Sequence, residues 1–153
     1  MRHDILLNKK IFHFSEDNLP CLVHYKEKTG GSHFTISLVV DLFLQGSKIL
    51  FFSKYHMAKD NFLEQTKEKE SKIFFIEKKE DLVGAEKHRV IILKSGDEDL
   101  YMEALKSLTD LKERVVLVKN FEIFTKNILN SSLLLKKIIL SGDIDRCVDK
   151  KTN

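Results

Sequence analysis

The chain has 153 residues, of which 42% are apolar and 32% charged, with one proline and six glycines. That composition excludes a fibrous or low-complexity chain and suits one domain large enough for a sheet packed on both faces. Its 26 basic and 23 acidic residues leave a net charge of +3, which gives a nucleic-acid partner only weak support.

No apolar run approaches the ~20 residues of a membrane span, and MRHDILLNKK lacks a signal peptide's apolar core. A cytoplasmic protein without membrane contact is expected. Cys21 falls in an apolar strand pattern and Cys147 in a polar tail, neither at metal-ligand spacing, so reduced thiols and no metal site are expected.

Residues 1–18 mix short apolar groups with polar ones and read as an extension, suited to an edge strand or a cover over the sheet. The first clear strand is 19–25, followed by a loop at 26–31. From Ser32 the spacing turns helical, with Phe34, Leu38, Asp41, Leu42 and Gln45 along one stripe and Ile36, Val39, Val40 and Phe43 widening it. A helix that apolar is one buried against a sheet, and Gly46 supplies its stop. SKILFFS is the second strand, an uninterrupted apolar run of the kind a two-sided parallel sheet demands.

HMAKDNFLEQTKEKE reads as a helix and KIFFIE as a third strand. A polar connection with Gly84 leads to RVIILKS, the fourth. DEDLYMEALKSLTDLKE reads as one helix over 97–113, opened by acids that suit the helix dipole, with Asp97 and Asp99 placed as caps. RVVLVKN is the fifth strand, TKNILNSSLLLK a helix over 125–136, KIILSGD the sixth strand, and 143–153 a polar tail. Strands and helices alternate, which predicts a three-layer α/β sandwich over 19–142 with a mainly parallel sheet of five or six strands.

The loop carries the chemistry. Gly30, Gly31 and Ser32 stand at the mouth of the first helix, where unpaired N–H groups and the helix dipole favour an anion. The stretch YKEKTGGSHFTISLVVDLFLQGSKILFFS resembles the strand, P-loop, helix and strand of RecA/KaiC-like nucleotide-binding proteins. In G-x-x-x-x-G-K-[ST], Gly30 matches the second Gly and Ser32 the hydroxyl residue, whereas Tyr25 replaces the first Gly and Gly31 replaces the Lys.

The missing ammonium is the group that would offset the β- and γ-phosphate charge. An acid expected after the second strand is absent from FFSKYH, and RVVLVKN ends in Lys119 and Asn120 where a magnesium-binding Asp would stand. The resemblance therefore implies a RecA-like topology without hydrolysis. Lys28, Thr29, Gly30, Gly31, Ser32 and His33 form a vestigial phosphate loop, with ATP or another nucleotide as the implied ligand. The implied role is a binding, regulatory or scaffold subunit that assembles with itself or with RecA-like subunits. No catalytic residue is assigned.

Lys54, Lys94 and Lys119 close the apolar parts of three strands. The carboxyl ends of parallel strands share one edge with the loop, so these lysines are candidates for an anion-attracting mouth. Two alternatives remain open. Thr29, Gly30, Gly31 and Ser32 also resemble the phosphate loop of flavodoxins, which would imply FMN. An active NTPase with atypical motifs would draw on Asp97, Glu98, Asp99 or Asp143. The six histidines show no triad or metal spacing, and His56 and His88 read as surface residues.

Overall fold

The computed structural model describes residues 4–7, 10–26, 31–53, 57–69, 72–93, 97–119 and 125–143. Strands β1 (Asp4–Leu7) and β2 (Lys10–His13) make an antiparallel pair separate from the main sheet. The extension thus does not join that sheet; β1 lies against helix α1 (Gly31–Leu44).

The main sheet has six strands: β3 (Cys21–His24), β4 (Lys48–Phe52), β5 (Phe74–Ile76), β6 (Val90–Leu93), β7 (Arg114–Lys119) and β8 (Ile138–Gly142). Every pairing is parallel, and the order across the sheet is β3-β8-β7-β4-β6-β5. The remaining helices are α2 (Met57–Thr66), α3 (Glu98–Ser107) and α4 (Lys126–Ser132).

The apolar runs explain the layering. β6 and β7 are buried at every residue and β4 at all but Lys48, so each needs cover on both faces. Alternation sends Leu50, Phe52, Ile91, Leu93, Val116 and Val118 to the side of Leu100, Ala104 and Ile128 on α3 and α4. Their neighbours Ile49, Phe51, Ile92, Val115 and Leu117 pack with α1 and with Phe62 of α2. α1 and α2 carry the chain across the sheet in one direction, whereas α3 and α4 carry it back. A single hand of crossover puts such pairs on opposite faces.

Three helices are shorter than their spacing predicts. α2 stops at Thr66 because Lys67 takes a left-handed conformation at φ 57°. The helix predicted over 97–113 ends at Ser107, where extended Leu108 caps it, and a short 3-10 turn covers Leu111–Glu113. Leu108 and Leu111 are both buried, so apolar spacing continues across a real break. The helix predicted over 125–136 begins at Lys126, with the Thr125 hydroxyl accepting from Ile128 N at 3.4 Å, and ends at Ser132. Leu133 and Leu134 then stand exposed at 61% and 85%.

The amino-terminal edge of the sheet is held by a charge. Arg114 is fully buried, and its Nε donates to Asp110 Oδ1 at 3.0 Å. Nη1 donates to the carbonyls of Ile49 and Arg89, and Nη2 to those of Glu86 and His88. All five donors of the guanidinium are used, which is how a buried cation is tolerated. His88, predicted as a surface residue, is half-buried here and stacks on Phe74 with ring centroids 4.4 Å apart.

Candidate functional site

Because every pairing in the main sheet is parallel, the carboxyl ends of β3, β8, β7, β4 and β6 line one edge. β4 leads to the α2 side, while its neighbours β6 and β7 lead to the α3 and α4 side. Such a reversal opens a crevice at the carboxyl edge, the usual ligand position in an open α/β sheet.

Polar residues occupy that edge on the α1 side. Alternation along β7 puts Lys119 on the same face as Val115 and Leu117, which pack under α1. Lys119 pairs in register with Ser141 of β8. On the other side, Ser53 lies one residue past the Phe52↔Val118 pair, so the register continues to Lys119. Ser53, Lys119 and Ser141 form a row across three adjacent strands and are 3%, 6% and 0% exposed. A lysine side chain so far from water requires polar partners, and Ser53 and Ser141 flank Lys119 in the row.

α1 lies over this row near its own start. Thr35 Oγ1 and Ser141 Oγ are 2.8 Å apart in a buried hydrogen bond. The first-turn N–H groups of α1, from Gly31 onward, therefore open at the same edge. Further along α1, buried Asp41 accepts from Gln45 Nε2 at 2.9 Å, and the same Nε2 donates to the Phe14 carbonyl at 2.7 Å. Ser37 donates to Gln65 of α2 at 3.2 Å. These bonds fix the axis of a helix that is otherwise apolar. Where β3 and β8 end, His24 Nε2 is 3.8 Å from Asp143 Oδ1, an ion pair when the imidazole is protonated.

The residues expected from the sequence fall as follows. Gly31 and Ser32 open α1, and His33 is exposed on its first turn. Lys28, Thr29, Gly30, Lys54 and Lys94 lie outside the described residues. Of the three lysines of the mouth, Lys119 is at the carboxyl edge, on α1's side. Asp97 is the cap of α3, its carboxylate accepting from Asp99 N at 2.9 Å, and Asp99 is a first-turn acid. Glu98 Oε1 accepts from the Thr125 hydroxyl at 2.7 Å, tying the starts of α3 and α4 together. Among the described residues, no three His, Cys, Asp or Glu side chains converge.

Ser53, Ser141 and Thr35 were not singled out by motif. Strand period puts each serine, at the close of an apolar run, on one face of its strand, but only the register brings the two into a row with Lys119. No protein-family model, curated protein or solved structure matches this chain. Among the described residues, no helix is long and apolar enough to cross a membrane.

Proposed function

We propose that this chain is a RecA/KaiC-like P-loop domain that binds without hydrolysing, serving as a binding, regulatory or scaffold subunit of a larger assembly. In this reading the loop at 26–32, the start of α1 and the Ser53–Lys119–Ser141 row make one mouth for a phosphate-bearing ligand such as ATP or ADP. The observation that carries it is Lys119, a buried lysine at the carboxyl end of an interior strand, on α1's side of the sheet. That position is where the resemblance would put a magnesium-binding acid. A cation there attracts phosphate and repels the metal that hydrolysis requires.

The loop's missing lysine is the second support. With Gly31 at the helix start, backbone donors are left to hold the anion, and Lys119 supplies charge from the sheet beneath. Equilibrium dialysis of ADP and ATP, with and without magnesium, tests the reading, followed by analysis of the retained nucleotide. The expected result is retention that magnesium does not improve, with ATP recovered intact. Absence of retention at millimolar nucleotide contradicts the ligand, and release of phosphate contradicts the lack of hydrolysis.

A further inference from the structure

A second surface lies on the other face of the sheet, near the amino ends of β7 and β8. α3, the turn at Leu108–Leu111 and the chain after α4 enclose two adjoining hollows of about 520 and 450 Å³ that share Leu111, Lys112, Leu134 and Leu135. Leu105 and Leu108 continue the apolar floor, and Leu134 stands over it at 85% exposure. The early end of α4 creates this feature. Had the helix run on to residue 136 its leucines would have followed helical spacing, but Leu133 caps it and Leu134 turns outward.

The rim is basic. Lys106, Lys112 and Lys136 border the hollows, and none of the three forms an ion pair or hydrogen bond among the described residues. Among the described residues, no carboxylate lines either hollow. The fourth lysine, Lys137, is engaged by Glu16 at 3.3 Å. In a chain whose charges nearly cancel, an apolar groove bordered, among the described residues, by three lysines and no acid is a selective surface.

We propose that this groove docks an acidic amphipathic segment of a partner protein. Leucine-like side chains of the segment fill the hollows against Leu105, Leu111 and Leu134, and carboxylates on its flanks pair with Lys106, Lys112 and Lys136. The hollows favour a helix over a bilayer, because a flat lipid surface cannot enter a concave floor whereas i, i+3 and i+4 side chains can. The surface is independent of the carboxyl-edge mouth and stands whether or not a nucleotide binds there.

The test uses the full chain and labelled synthetic peptides of about five helical turns, with leucines on one face in several registers and glutamates beside them. A matched set carries lysine for glutamate, and vesicles of phosphatidylcholine with phosphatidylserine form a third arm. Fluorescence anisotropy is expected to show binding by an acidic peptide, none by its lysine counterpart, and weakening as salt rises. Leu134→Glu, and separately Lys112→Glu with Lys136→Glu, are expected to weaken it about tenfold or more. These side chains are exposed, so an unchanged melting temperature will show that the variants fold. Equal binding of both peptide sets, no binding by any acidic peptide, indifference to the substitutions, or binding to vesicles in place of peptides each overturns the proposal.

Discussion

Thr35 on α1 and Ser141 on β8 are 106 residues apart in sequence, and their hydroxyl oxygens lie 2.8 Å apart in the core. This contact fixes where the start of α1 sits over the sheet, and so where its first-turn N–H groups lie. Ser141→Ala leaves the Thr35 hydroxyl without that partner and is expected to cost about 1 kcal/mol. Thr35→Val should cost a similar amount. The double variant is expected to be more stable than the sum of the two losses implies, by at least about 0.5 kcal/mol, in urea unfolding. Strict additivity would mean that the two hydroxyls do not act as a pair.

Arg114 makes a larger demand. Its guanidinium serves the Asp110 carboxylate and four carbonyls from two other segments of the chain. Arg114→Met leaves those acceptors buried, and the expected loss is about 3–5 kcal/mol. For a chain of this length that corresponds to a fall in melting temperature on the order of 10 °C, readable by calorimetry. Arg114→Lys should recover only part of it, because an ammonium has three donors and no planar fork. Full recovery by lysine would show that charge alone, without the fork geometry, satisfies the site.

Cys21 tests the packing of the edge strand β3. Burial pushes its thiol up to about 11 from an ordinary 9.0, since removing water disfavours the thiolate. The folded protein is therefore expected to react slowly with iodoacetamide at pH 8, with the rate climbing only as pH approaches 11. Peptide mapping of native and urea-unfolded protein reads the difference at Cys21. Equal native and unfolded rates at pH 8 would show that β3 is not packed as described.

Glu16 joins the amino-terminal segment to the domain. The Ser47 hydroxyl, donating at 2.7 Å, is the main cause that holds its carboxyl below the ordinary 4.5, with Lys137 at 3.3 Å adding to it and partial burial opposing. A lowered folded value means the contribution to stability is present above about 4.5 and is lost as pH falls through the folded value. Glu16→Gln is thus expected to be less stable than the parent at pH 7 and to match it once the carboxyl is protonated. Denaturant midpoints at pH 7 and pH 3 give the comparison. A gap that persists unchanged at pH 3 would assign the effect to something other than the charge.

The alternation of strands and helices was legible because β4, β6 and β7 are uninterrupted apolar runs, a pattern that one-sided sheets do not produce. Strand order was not legible: runs buried on both faces look alike, and only the side each helix takes decides that β3 stands at an edge while β4 is interior. Helix ends were misread where apolar spacing outlasted the helix, at Leu108–Leu111 and at Leu133–Leu135. Arg114 resembles any charge at the start of a strand, and its burial depends on carbonyls from two segments, Ile49 and 86–89, that meet only in the fold. At the carboxyl edge, Lys119 was visible as a strand-closing cation. Ser53 and Ser141 needed the register, which no motif encodes.

The central claim, that the loop and α1 start form a working anion mouth, is tested most directly by thermal unfolding with ATP, ADP, GTP and FMN, each with and without magnesium. A ligand present at 100 times its dissociation constant stabilises the fold by about 2.7 kcal/mol, a shift any melting curve resolves. The account predicts a higher midpoint with ATP or ADP irrespective of magnesium, abolished by Gly31→Asp. An aspartate in the first turn suits the helix dipole, so that variant should fold while its carboxylate repels phosphate. A rise with FMN alone would favour the flavodoxin-like alternative, and no rise with any ligand at millimolar concentration would contradict the claim outright.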